Sequence, residues 1–293
     1  MGGWGKIISL LALAIFFAIS ANSAFAQRVI VDDVGYNTAY YHHPGSPKVK
    51  LAIVNTSGSL TNYAEIKDVI VSGGSLQNNR ETIYTQPGII EKVIVNSGTV
   101  QNAGAATIVA LELFNGTVSN AAKIGNLTYH GGTYNGLLGG ATGTIGTLTL
   151  ANDAAANKGN TWGKIENLAF ADNANGILSI TGFDGGFSTG MTGLQSVDLT
   201  YGSIAVNLGA NDSTQFSIFG LFGFDATSNT DAISGMLTSL SIDGTKFNSV
   251  NKNWVFAFAD GKWSGKDSST PEPATLAIIG LGLAGLGLAR RRR

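Results

Sequence analysis

The chain contains no cysteine. Disulfides, thiolate metal sites and a cysteine nucleophile are thereby excluded, so an exported form must draw its stability from packing and backbone hydrogen bonds. Proline is scarce, with 5 in 293 residues, and charged residues make up 13% of the chain, about half the usual share. Heptads rich in Glu, Lys and Arg are missing, which excludes a coiled coil. Residues 27–270 hold 2 Arg and 11 Lys against 18 Asp and Glu, a balance of −5 beside the whole chain's −1. Such an acidic body lacks the basic footprint that nucleic-acid binding needs, and no nucleic-acid partner is expected. No stretch of the body sustains a 3.6-residue apolar period. Glycine is abundant at 40 residues. With Asn, Thr, Val and Ile it makes a composition of strands and turns that is too apolar for disorder.

The front end, MGGWGKIISLLALAIFFAISANSAFAQ, places one cation, Lys6, before an apolar run from Ile7 to Ile19. Small residues follow and end in Ala24-Phe25-Ala26. This is the three-part plan of a secretory signal over residues 1–26, with cleavage after Ala26 and a mature chain beginning at Gln27. A retained membrane anchor is the other reading. A short apolar run followed by an A-x-A site favours removal.

The middle of the chain repeats. IKDVIV, IEKVIV, IVALEL, IGNLTY, IGTLTL, IENLAF and LQSVDL begin at residues 66, 90, 108, 124, 145, 165 and 194. Each carries apolar residues at its first, fourth and sixth positions. The first four are followed by GSLQN (74–78), GTVQN (98–102), GTVSN (116–120) and GTYNG (132–136), and GSLTN (58–62) is an earlier, partly degenerate copy. Each unit reads as a strand, a Gly turn, a shorter strand and an Asn-containing corner. Units of about 20 residues are too short to fold alone and fit one coil of a parallel β-solenoid. Stacking at about 4.8 Å then turns the apolar positions into interior columns. The recurrent Asn62, Asn78, Asn102 and Asn120 have two readings: a hydrogen-bonded ladder inside one corner, or left-handed turn residues. A β-sandwich of hairpins is the rival fold.

These boundaries give an all-β protein with an N-terminal cap at 27–49 and solenoid repeats at 50–199. An antiparallel cap follows at 200–264, where Asp260-Gly261 marks a hairpin turn. A linker at 265–273 precedes the tail.

Little here reads as chemistry. Arg28 and Arg80 are too few and too isolated for uronate lyase chemistry. Asp153, Asp172, Asp184 and Asp212 fall singly rather than as a pair facing across a sugar. Asp32-Asp33 with His42-His43 gathers possible metal ligands but matches no zinc or calcium spacing, and His130 stands alone. The glycine-rich stretch 136–146 lacks the lysine and helix of a phosphate loop. No catalytic residue, cofactor or metal is expected. Tyr84, Tyr129, Tyr134 and Trp162 recur near coil positions and have two readings, stacking on sugar rings or filling the core. The repeat style resembles the β-helical passenger regions of bacterial adhesins and autotransporters, over roughly residues 50–200.

The tail is TPEPATLAIIGLGLAGLGLARRRR, residues 270–293. Pro271-Glu272-Pro273 stops regular structure. Ala274 to Ala289 is apolar or small, and Arg290, Arg291, Arg292 and Arg293 follow. As a helix, the 16-residue run spans about 24 Å, and snorkelling arginines extend it across a membrane with the body outside. This arrangement resembles the PEP-CTERM sorting signal of Gram-negative bacteria, with Thr270 where many members have Val. The resemblance implies export through the Sec machinery and transient anchoring of residues 274–293 in the inner membrane. It also implies processing by an exosortase, and association at the surface with exopolysaccharide or biofilm material. The expectation is a surface or matrix protein that is not an enzyme. The alternative is a polysaccharide lyase or hydrolase on a β-helical scaffold.

Overall fold

The computed structural model describes residues 27–31, 39–42, 49–79, 87–151, 160–171, 177–183, 186–189, 191–208 and 215–269. The signal segment and the tail from Thr270 onward lie outside them. Strands β1 (Gln27–Val31), β2 (Ala39–His42), β3 (Val49–Asn55), β4 (Ser59–Asn62), β5 (Glu65–Asn78) and β6 (Ile89–Asn102) open the fold. They are followed by β7 (Thr107–Leu113), β8 (Thr117–Asn120), β9 (Lys123–Tyr129) and β10 (Thr133–Asn135). The long strands pair in the order β1-β3-β5-β6-β7-β9, then Thr144–Leu150, then Gly163–Phe170. Every one of these pairings is parallel. The short strands stack beside them, also in parallel. Parallel neighbours this close in sequence cannot come from hairpins, so the sandwich is ruled out and the body is a solenoid.

The register reproduces the repeat. Ile66, Ile90, Ile108, Ile124, Ile145 and Ile165 are successive partners and form one fully buried column. Val69, Val93, Leu111, Leu127, Leu148 and Leu168 form a second. A third grows in size along the rod, from Val71 and Val95 through Leu113 to Tyr129. On the short strands, Leu60, Leu76, Val100, Val118 and Tyr134 complete the interior. Two residues separate the first and second apolar positions, so each long strand bends there and the apolar set stays on one side.

Between the two strands of each turn the chain makes a tight left-handed corner. Gly98 has φ +93° and Gly116 φ +103°, a region costly to residues with a Cβ. The corners also stack: a Cβ on Gly116 would lie 2.5 Å from the carbonyl oxygen of Gly98. Glycine is therefore required twice over, by conformation and by the distance between coils.

Three boundaries differ from the sequence reading. In the segment 27–49, read as a cap, the described strands β1 and β2 pair in parallel with β3 and β4 and so continue the stack. Parallel stacking does not stop at Leu199. Val197 pairs with Ile233, and Ile204 of Ser203–Asn207 pairs with Leu240 of Met236–Ile242. The antiparallel portion is accordingly smaller. Met236–Ile242 turns through Asp243-Gly244 into Thr245–Asn251. Trp254–Ala259 turns through Asp260-Gly261 into Lys262–Asp267 and also pairs with Gln215–Ser217. Asp260 and Gly261 both have positive φ, 52° and 74°, as the two-residue turn requires. A single helical turn, Ile218–Leu221, is capped by Ser217, whose Oγ accepts from the Gly220 N–H at 3.1 Å. The linker, thirdly, is shorter than 265–273, because strand Lys262–Asp267 occupies its first residues.

Candidate functional site

Two features rise above the general scaffold: a polar ladder inside the rod, and the point where the folded body meets the tail.

The ladder sits at the corner after each short strand. Asn62 Nδ2 donates to Asn78 Oδ1 at 2.8 Å, Asn78 Nδ2 to Asn102 Oδ1 at 2.9 Å, and Asn102 Nδ2 to Asn120 Oδ1 at 2.8 Å. All four asparagines are 0% exposed. The second amide proton also finds partners, since Asn78 donates to the Thr107 carbonyl at 3.2 Å and Asn102 to that of Lys123 at 3.0 Å. A buried amide without partners costs about 1–3 kcal/mol, so four in a row persist only because each rung satisfies the next. None of the four has a positive φ. Of the two readings of these residues, the ladder is the one the structure contains.

The ladder ends for a visible reason. The register puts Gly136, not Asn135, at the position after Asn120. A Cβ at Gly136 would lie 2.4 Å from the Trp162 carbonyl oxygen, so no asparagine fits there. The last rung is instead the Tyr134 hydroxyl, which accepts from Asn120 Nδ2 at 3.0 Å. Burial pushes the Tyr134 phenol well above the usual tyrosine range, and the Asn120 bond offsets this only in part.

The aromatic candidates divide accordingly. Tyr134 and Trp162 are 0% exposed and Tyr129 is 2% exposed, so all three belong to the interior and cannot offer a ring face to a glycan. Trp162 stacks on Tyr134 with centroids 5.3 Å apart and meets Tyr129 edge-on at 5.2 Å. Together they fill the volume opened where the ladder stops. The Tyr129 hydroxyl donates to the Gly132 carbonyl at 2.9 Å. Tyr84 lies outside the described residues, as do Arg80, Asp32, Asp33, His43, Asp153, Asp172, Asp184 and Asp212. Outside the coil, the exposed Phe114 and the half-buried His130 stack at 4.1 Å, a pair that the repeat pattern did not single out. Its signal was available: both follow the sixth position of adjacent repeats, so register alone places them together. Among the described residues, no group of three His, Asp or Glu side chains is placed to hold a metal. Two clefts, of about 360 and 190 Å³, share Lys252 and Asn253, and Lys252 Nζ donates to the Thr230 carbonyl.

Beyond strand Lys262–Asp267 the chain is fixed almost to the tail. Ser268 N–H and Oγ both donate to the Asn253 carbonyl, at 3.0 and 2.6 Å. Asn251 Nδ2 donates to Asp267 Oδ2 at 2.6 Å, and the Ser269 N–H donates to Asp267 Oδ1 at 2.9 Å. The Ser269 hydroxyl and the Asn251 amide hold the Asp267 carboxyl below its ordinary range. Only Thr270 separates this tied end from Pro271. Ala24 and Ala26 of the expected signal cleavage site lie outside the described residues, and so do Pro271, Glu272, Pro273 and Arg290 to Arg293. Gln27, the expected mature N-terminus, is the first residue of β1. Among the described residues, no helix is long and apolar enough to cross a membrane.

These features define an all-β solenoid that is tied down up to the edge of a C-terminal tail. Against known families, the PEP-CTERM protein-sorting motif matches residues 269–293. That motif marks an exported protein processed by an exosortase, and it covers the tail alone. No curated protein and no solved structure matches the chain.

Proposed function

We propose that the chain is a surface or matrix protein of a biofilm: a stiff, acidic β-rod without catalytic activity. In this reading it is exported by the Sec machinery through residues 1–26 and held at the inner membrane by residues 274–293. An exosortase then releases it near Pro271-Glu272-Pro273. The observation that carries this is the sorting motif at residues 269–293, reached by a body whose described residues are hydrogen-bonded as far as Ser269. The outward positions of the short strands support a role in extracellular polysaccharide. Ser75, Thr99, Thr117 and Thr133 stand in register at one coil spacing, and Gln77, Gln101, Ser119 and Asn135 run beside them. They form a regular array of hydroxyls and amides suited to hydrogen-bonding a polymer of sugars. The route is tested by mass spectrometry of protein recovered from the cell surface. Gln27 at one end and a terminus within residues 269–273 at the other are expected, and an intact Arg293 on the surface form overturns the processing. The role of the body is tested by incubating the released protein with extracellular polysaccharides, where binding without turnover is expected and degradation of any glycan overturns the structural reading.

A further inference from the structure

The rod is finished differently at its two ends. At the C-terminal end the last parallel strand, Met236–Ile242, is covered by the antiparallel strand Thr245–Asn251. At the other end β1 pairs with β3 and β2 with β4, and among the described residues neither has a partner on its remaining side. An uncovered strand presents a row of N–H and C=O groups ready to pair. Devices that blunt an edge are few here: β1, QRVIV, has one charged residue and no proline, and β2, AYYH, has neither charge nor proline.

The outer surface leads to the same edge. Ile30, Ile53, Ile70 and Ile94 are successive register partners. The neighbours of Ile53, Ile70 and Ile94 along their strands are buried core residues, so the column lies on the outside of the rod. It ends at Glu112 in the next coil and continues as Thr128. At its other end, Ile30 is 42% exposed and sits on the open strand. An apolar stripe thus runs along the outside of the first coils and reaches an edge that no other described strand covers.

We infer that β1 is an assembly edge on which a second copy of this chain adds its own β1, antiparallel and related by a two-fold axis. The occupant follows from the chain that precedes the edge. The signal reading in the proposed function, on which this inference rests, removes residues 1–26 and makes Gln27 both the mature N-terminus and the first residue of β1. No residue ahead of the strand is then left to fold back over it. A second copy satisfies the open backbone groups by symmetry, and antiparallel strands join the two isoleucine columns end to end around Ile30. A two-fold contact uses the β1 edge of both copies at once, so addition through this edge stops at two copies and no fibre grows from it.

The experiment uses the full chain, expressed with export and purified in its mature form, with its N-terminus read by mass spectrometry. Analytical ultracentrifugation at tens of micromolar is expected to give twice the chain mass. The absence of cysteine makes a clean cross-linking test possible. Ile30→Cys is expected to form a disulfide-linked dimer under mild oxidation, whereas Val109→Cys, exposed on a later coil, is not. Ile30→Lys, which alters an exposed side chain and leaves the circular dichroism unchanged, is expected to weaken the dimer by at least about tenfold. A monomer that begins at Gln27 overturns the assembly alone. A chain that still carries residues 1–26 overturns the signal reading and the uncovered edge with it. Cross-linking through Val109→Cys rather than Ile30→Cys overturns the assigned edge.

Discussion

The stretch from Asn62 to Tyr134 and the stretch from Thr200 to Ser269 solve the same problem in opposite ways. Both must fill a β interior without disulfides. The first uses near-identical coils, so identical side chains meet at one coil spacing and even an amide can be buried, because its neighbour is the same amide. The second has strands of unequal length and mixed direction, so few side chains meet a like partner; Ser239, whose Oγ donates to that of Ser203 at 3.1 Å, is one that does. This stretch is filled by rings instead: Phe216, Phe247 and Trp254 gather around Phe256, with Phe247 and Phe256 centroids 5.1 Å apart, and Trp263 meets Phe216 at 5.5 Å. Polar groups belong inside when a repeat supplies their partners, and apolar bulk belongs there when it does not. Tyr134 stands at the border and does both, with its ring against Trp162 and its hydroxyl on the ladder.

Substitutions sharpen this contrast, and urea denaturation reads each of them. The largest effect is expected at Trp162, which closes the ladder's end: Trp162→Ala should cost about 4–5 kcal/mol through the cavity it leaves. Its indole N–H has no hydrogen-bond partner among the described residues, so Trp162→Phe should lose packing volume but no hydrogen bond. Next comes Asn102→Leu, which breaks the ladder in its middle and strands a donor and an acceptor, for about 3 kcal/mol. The same change at the terminal Asn62 should cost about half as much, and equal costs at the two positions would mean that the rungs act independently. Gly116→Ala should destabilise by about 2–3 kcal/mol, because strain and a carbonyl contact add. Gly244→Ala is the matched test in the antiparallel region. It has φ +85° and nothing within 4 Å of an added Cβ, so only the strain of about 1 kcal/mol applies.

Tyr134→Phe is expected to cost about 1–2 kcal/mol at neutral pH by leaving Asn120 without its partner. It carries a pH signature as well. The folded phenol titrates above its unfolded value, so its contribution is fully present below pH 10 and is lost as the pH rises beyond it. The stability gap between wild type and Tyr134→Phe should therefore shrink in alkaline solution. A gap that stays constant would place the hydroxyl in contact with water. The smallest effect is on the outer face, where Lys92 Nζ lies 2.8 Å from Glu112 Oε1 with both side chains partly exposed. Lys92→Ala should change stability by about 0.5 kcal/mol or less, vanishing in high salt.

Much of the rod was legible because its period is written in apolar residues. Ile66, Ile90, Ile108 and Ile124 keep their spacing relative to the valines and leucines that follow, so columns could be drawn before any strand was placed. The asparagines were legible as a set but not as a ladder, because one residue type serves both turn and rung, and backbone conformation decides between them. The aromatic side chains were read by type, which does not distinguish inside from outside. The better signal was alignment: GTYNG under GTVSN puts Tyr134 in the column of Val118 and Val100, hence in the core. Alignment also puts Asn135 one place short of the rung. The coil of β1 and β2 escaped notice because its strands lack the I-x-x-V-x-V spacing. Stacking beyond Leu199 escaped because the residues between Val197 and its partner Ile233 include the short helix Ile218–Leu221, which hides the return. The tail depended on no fold at all, since Pro271-Glu272-Pro273, an apolar run and four arginines identify it by composition and order.

The ladder also has a sense of direction. Each donation runs the same way, from Asn62 to Asn78, to Asn102, to Asn120 and on to Tyr134. Reversing one amide would set two acceptors and two donors face to face, so the row flips together or not at all. The aligned amides sum their dipoles, which makes the rod electrically polar along its axis, with the positive pole toward Tyr134 and the negative pole at the Asn62 oxygen. That oxygen accepts the Ala64 N–H at 3.2 Å. A molecule with almost no helix thus acquires, from four side chains, the axial field that other folds draw from a helical backbone.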